Sequence, residues 1–320
     1  MAKTLPAHAL PPAWELHASA RGRLALRRSG EGGPPVVFLP GAGLIGLDYL
    51  NLHRLVAATS TSVIYDRTGT GWSDPVALPR SAAAVAEELR ELLRSAGVPG
   101  PYVLVGHSLG GAYARRFAQL FPQDVAGLVM LDPAHEGYAT LPAPGLGSQF
   151  RQLAGLLKLL PRPSAFYRPM FERMLVGWPE PEKAALIAYH LRAWASSLRE
   201  ARNLQTEVLG EIAGGGALPD TPMIVLVAMG IDRFMAPFAP ASRLRELNAA
   251  KRSFYEAFAA DAPRGEARLL EGAGHSTIHT DRPDAVLAAI EDVIEAGRQS
   301  RTAGGDAGED RRRQSLPAVT

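Results

Sequence analysis

The chain has 320 residues, no cysteine, and a formal net charge of +2 from 34 basic and 32 acidic side chains. The missing cysteines exclude disulfides, thiolate nucleophiles and thiolate metal sites. The pI near 9.0 reflects that small surplus and not a basic face, so nucleic-acid binding is not indicated.

The opening residues carry no apolar run of the kind a secretory leader needs. No stretch approaches the roughly 20 apolar residues of a membrane-crossing helix, so the expectation is a cytoplasmic protein without stable membrane insertion. Residues 1–13 are expected to form a flexible tail. "WELHASA" and "RLALRRSG" then suit an antiparallel hairpin turning near Arg21 and Gly22. After the glycine–proline punctuation of "GEGGPP", the short run "VVFLPGAG" predicts a buried strand leading into a glycine loop. A short helix is expected near Asp48 to Ala58, followed by a second strand in "TSVIYD".

From Ser81 the pattern turns helical: Val85, Leu89, Leu92, Leu93 and Ala96 share one face, with Ser81 available as the cap. "YVLVG" follows as a third strand, and Ala114, Phe117, Ala118 and Phe121 mark the helix after it. "VAGLVMLD" is a fourth strand. Strands that are apolar throughout and alternate with helices predict a mostly parallel, doubly wound sheet covered on both faces.

From 137 to 219 the strand rhythm stops, and helical patterns near 148–160, 164–176 and 181–209 suggest an inserted helical cap. The strands resume at "MIVLVAMG" and "EARLLEG", and a last helix carries Val286, Ala289, Ile290, Val293 and Ile294. The expected organisation is a core from 14–136 and 220–297, the cap at 137–219, and a polar, glycine-rich tail from 298 to 320 that we expect to be disordered.

Ser108 sits in "YVLVGHSLGG", between a strand and a helix. A serine at a sharp strand-to-helix turn needs small neighbours, which Gly106, Gly110 and Gly111 supply. The helix N-terminus offers free N–H groups to a developing oxyanion. The alternative is a glycine-rich helix start that binds phosphate. A serine hydroxyl is weakly nucleophilic, so it needs a base and a group that orients the base. Of the histidines that follow Ser108, His275 lies in the glycine-lined loop "EGAGHSTIHTDRPD", His279 is its rival, and His135 and His190 read as ordinary loop and helix residues; His107, beside the serine, suits packing or lining the pocket. For the acid, Asp232 just past "MIVLVAMGI" is the first choice and Asp132, ending "LVMLD", the alternative. Both belong at the sheet edge where ligands bind in open α/β folds. The backbone N–H groups of Leu109 and Ala42 are the candidate oxyanion donors.

"LPGAG", "YDRTGTGWSD", "GHSLGG" and "GAGHSTIHTDRPD" occur in the order in which the α/β-hydrolase superfamily carries such segments, and over about residues 14–297 the sequence resembles it. It is most similar to small esterases and cofactor-free haloperoxidase-like members with a helical cap. The resemblance implies an α/β-hydrolase fold and a serine hydrolase acting on a small, largely apolar molecule, with no metal or other cofactor. It implies structural roles for Asp66, Arg67, Gly69 and Gly71. Relatives often have His-Gly where this chain has Pro40-Gly41. Peroxide-dependent, carbon–carbon bond and lactone chemistry remain alternatives, as does a ligand receptor that has lost turnover.

Overall fold

The computed structural model describes residues 10–11, 13–137, 168–169, 171–172, 174–236 and 239–314. An eight-stranded sheet runs in the order β1-β2-β4-β3-β5-β6-β7-β8. Its strands are β1 (Glu15–Ser19), β2 (Gly22–Ser29), β3 (Val36–Leu39), β4 (Ser62–Tyr65), β5 (Tyr102–His107), β6 (Val125–Leu131), β7 (Met223–Ala228) and β8 (Gly265–Leu270). The hairpin β1–β2 joins β4 antiparallel, and every other pairing is parallel.

All residues of β3, β5, β6 and β7 are buried, as expected for strands covered on both faces. Strand alternation sends neighbours to opposite cores. Val36 and Phe38 belong to one, with Val286, Ile290 and Val293 of α7 (Pro283–Gln314). Val37 and Leu39 belong to the other, with Val85 and Leu89 of α2 (Ala82–Ser95) and Phe117 of α3 (Leu109–Leu120). The Ser81 hydroxyl caps α2 by accepting from the Ala84 N–H at 3.1 Å. The helix expected near Asp48 is a 3-10 turn over Gly46–Tyr49 running into α1 (Leu50–Val56).

No described residue between 137 and 222 is in a strand. The helical pattern expected near 148–160 lies outside the described residues, as do 164–167, 170 and 173 of the one expected at 164–176. Farther on, α4 (Glu180–Glu200) is followed by a π-helical turn at Leu204–Val208 and α5 (Leu209–Ala213). The continuous helix expected over 181–209 is therefore interrupted. The break falls at Asn203, whose side-chain amide donates to the Arg80 carbonyl and the Glu207 carboxylate. Val208, Leu209 and Ile212 then return to the core beside α2 and α3.

The tail also differs from the expectation: α7 continues to Gln314, past the boundary at 298. Extending an established helix fixes one residue per added hydrogen bond, so its packed first half lets polar sequence follow. The expected tails at 1–9, 12 and 315–320 lie outside the described residues. No helix among the described residues is long and apolar enough to cross a membrane.

Candidate active site

Strand β5 ends at His107, and Ser108 takes φ 51° and ψ −119° before α3 begins at Leu109. This is a left-handed, sparsely populated conformation for a residue with a Cβ. The surroundings over-determine it. The Ser108 N–H donates to the Leu131 carbonyl at 3.0 Å, and its own carbonyl accepts from Gly111 at 2.9 Å and Ala134 at 2.8 Å. A Cβ on Gly106 would sit 2.7 Å from the Gly111 Cα, and one on Gly110 would collide with the Leu39 carbonyl. The small neighbours expected from the sequence are thus required by backbone contact.

His275 Nε2 lies 3.1 Å from Ser108 Oγ, and its Nδ1 lies 2.5 Å from Asp132 Oδ2. A carboxylate can only accept there, so Nδ1 carries the proton and Nε2 faces the serine as an acceptor. The first-choice acid, Asp232, is corrected by this geometry, which brings Asp132 to the ring instead. Asp232 uses Oδ1 to accept from the N–H groups of Phe234 and Met235, and Oδ2 to accept from the Ser276 N–H. It grips the backbone of the histidine loop, not the imidazole. The other side of that loop is held by Asp281, which accepts from the Gly274 N–H at 3.0 Å and the Thr277 hydroxyl.

Asp132 is fully buried, at a φ of 42°, and Lys251 of α6 (Ala241–Ala260) lies against it. The Lys251 ammonium donates to Oδ2 at 2.8 Å, to Oδ1 at 3.1 Å and to the Ala228 carbonyl at 2.9 Å. Burial pushes the Asp132 carboxyl up. The Lys251 charge and the His275 hydrogen bond outweigh it and hold the group well below the usual carboxylate range. Sequence reasoning missed Lys251. A lysine on an amphipathic helix reads as a solvated residue until tertiary contact with β7 is known.

His107 is buried beside Ser108, and burial together with the nearby His275 lowers its pKa to about 4. Its Nε2 lies 2.8 Å from the His275 carbonyl, and its Nδ1 lies 2.8 Å from the Tyr49 hydroxyl. Nε2 must therefore donate, Nδ1 accepts, and Tyr49 in turn accepts from the Gly41 N–H at 3.3 Å. One neutral imidazole thus ties the loop after β3 to the backbone of the histidine loop.

His279 is 2 % exposed, lies 4.7 Å from the Tyr49 ring at a tilt of 30°, and has no hydrogen-bond partner on either ring nitrogen among the described residues. Burial, then the neighbouring His107 and His190, push its pKa well below 6.5. Its ring contacts are with Tyr49 and His107. His190 on α4 contacts Asp48 at 2.8 Å, and His135 packs on Phe254 and Phe258.

Leu109 opens α3, so its N–H belongs to the first turn, where no intrahelical acceptor exists. Ala42 lies in the loop after β3. That loop crosses directly over the elbow: a Cβ on Gly41 would fall 3.4 Å from the Ser108 Cβ. Of the apolar side chains between β6 and β7, Phe171, Met174, Leu175 and Trp178 are buried in the core on the α7 face. Phe150, Leu153, Leu156, Phe166, Tyr167 and Met170 lie outside the described residues. Residues that could hold a metal do not cluster among the described residues.

The alpha/beta hydrolase family profile matches residues 36–289. The uncharacterized protein C23C11.06c of Schizosaccharomyces pombe is 45% identical over 69 residues, which cover 22% of this chain and 13% of that protein. The uncharacterized protein YbdG of Bacillus subtilis is 25% identical over 274 residues, covering 82% of this chain and 80% of that one. Among solved structures, a thermophilic esterase from Thermogutta terrifontis superposes with a TM-score of 0.57 at 21% identity, covering 89% of this chain and 98% of its own. That likeness is one of fold. The chain belongs to the alpha/beta hydrolase family, and its general activity class is that of a hydrolase.

Proposed function

We propose that the chain is a serine hydrolase that cleaves a carboxylic ester or related acyl bond of a small, largely apolar molecule through an acyl-enzyme. The observation that carries this reading is the continuous line from Ser108 Oγ through His275 to the buried, lysine-paired Asp132. Ser108 attacks the carbonyl carbon while His275 Nε2 takes its proton. Asp132 keeps the imidazole in the competent tautomer and stabilises the imidazolium that forms. The backbone N–H groups of Leu109 and Ala42 stabilise the oxyanion. His275 then protonates the leaving alcohol, and water attacks the acyl group by the same route in reverse.

The test combines a fluorophosphonate probe with a panel of p-nitrophenyl esters from short to long acyl chains, on wild type and Ser108→Ala. We expect one phosphonylated residue, Ser108, and no labelling or ester turnover in the variant. Labelling that persists in Ser108→Ala overturns the assignment.

A further inference from the structure

We infer that Glu200, carried at the end of cap helix α4, is a positioning residue for the oxyanion loop and acts through Arg67. The inference rests on the acyl-transfer reading above. Its starting point is a charge pair buried between the cap and the loop after β3. The Arg67 and Glu200 side chains are 2% and 4% exposed and approach to 2.7 Å. The guanidinium also donates to the Pro40 carbonyl at 2.6 Å and to the Gly41 carbonyl at 3.0 Å. The second Glu200 oxygen accepts from the Gly43 N–H at 3.0 Å. One ion pair therefore holds the loop at Pro40, Gly41 and Gly43, on both sides of Ala42.

Planarity of the peptide unit gives these contacts a direction. In a trans peptide the carbonyl and the following N–H point to opposite sides. Arg67 binds the carbonyl of Gly41, so the N–H of the same peptide, that of Ala42, is turned away from Arg67. The neighbouring N–H groups are already committed, Gly41 to Tyr49 and Gly43 to Glu200. Ala42 contributes the donor that this clamp orients.

A buried guanidinium without its carboxylate is costly, and removing one partner of such a pair leaves the other charge uncompensated. Glu200 thus keeps Arg67 in place, and the cap sets the donor geometry of the core. The carbonyls of Pro40 and Gly41 are held from outside the loop, so its shape does not depend on the side chain at position 40.

The test uses Glu200→Gln, which keeps size and an acceptor but removes the charge, with Glu200→Asp and Arg67→Lys as further variants should Glu200→Gln fail to fold. Two quantities are measured in the full chain: the rate of Ser108 phosphonylation by a fluorophosphonate, and hydrogen exchange of the backbone amides at 41–44. Where an ester is turned over, kcat and KM are measured as functions of pH.

We expect phosphonylation and kcat to fall about 10- to 100-fold, part of what losing an oxyanion donor outright costs. KM should stay within about threefold, exchange at 41–44 should accelerate, and the pH midpoint of kcat/KM should hold because the His275–Asp132 contact is untouched. Wild-type phosphonylation and exchange rates in Glu200→Gln would overturn the inference. So would a loss of kcat with unaltered exchange. If wild-type Ser108 is not phosphonylated at all, the acyl-transfer reading fails instead, and exchange alone decides whether the clamp exists.

Discussion

Replacing Asp132 by asparagine removes a charge that two partners share. His275 loses the acceptor that fixes its tautomer, and Lys251 loses its carboxylate. In a serine triad the acid-to-amide change costs about 10⁴-fold in kcat, which corresponds to about 5 kcal/mol in the barrier. The stability cost has a separate origin. Lys251 is 4 % exposed, and breaking a buried pair from one side costs about 3–5 kcal/mol.

The double variant Asp132→Asn/Lys251→Met separates the two effects. With no stranded ammonium it should recover most of the lost thermal stability, while kcat stays as low as in Asp132→Asn. Asp232→Asn is the comparison. Its side-chain oxygen can still accept from Phe234 and Met235, but the contact with the Ser276 N–H weakens. A hydrogen bond to a charged group is worth about 1.5–3 kcal/mol, so the kcat loss should not exceed about 100-fold. The assay is p-nitrophenyl ester hydrolysis normalised by active-site titration, with thermal unfolding of each variant. A larger kcat loss in Asp232→Asn than in Asp132→Asn would refute the assignment of Asp132 as the acid.

Two further outcomes are expected. His275→Ala should lower kcat by several orders of magnitude, whereas His279→Ala should act mainly on melting temperature, because it empties a packed site beside Tyr49; the reverse ranking in kcat would sink the base assignment. Burial, then the charges of Arg27 and Arg54, lower the pKa of His53 to about 3, so the unfolded chain binds a proton there before the native one does. Its contribution is therefore intact above pH 6.5 and declines as pH falls toward 3, by about 2 kcal/mol at pH 5. His53→Gln should flatten the pH dependence of unfolding free energy in that window, and an unaltered slope would contradict the buried, neutral assignment.

The strands, their parallel pairing and the elbow were legible because each rests on local pattern: unbroken apolar runs, and glycines where backbone meets backbone. The choice between Asp132 and Asp232 was not. Each lies just beyond the carboxyl end of its strand, and β6 and β7 are hydrogen-bonded neighbours, so position along the chain puts both carboxylates at one sheet edge. What separates them is orientation, set by the φ of 42° at Asp132 and by Lys251, 119 residues onward. Neither leaves a trace in local periodicity. Glu200 was hidden for the same reason: a glutamate at a helix end reads as solvated until Arg67 is seen to meet it. The extent of α7 was missed because glycine and charge content say little about a helix whose first half is anchored by packing.

The return of the chain between β6 and β7 to the core bears on how such a protein can be remodelled. Val208, Leu209 and Ile212 are buried with α2 and α3, and Glu211 accepts from the N–H groups of Ala82 and Ala83 at the start of α2. The end of the segment that leads back to β7 is thus part of the core itself. A chimera that exchanges the segment between β6 and β7 for another should keep residues from Glu200 onward as host sequence. One cut at 219 would remove a wedge against which α2 and α3 pack.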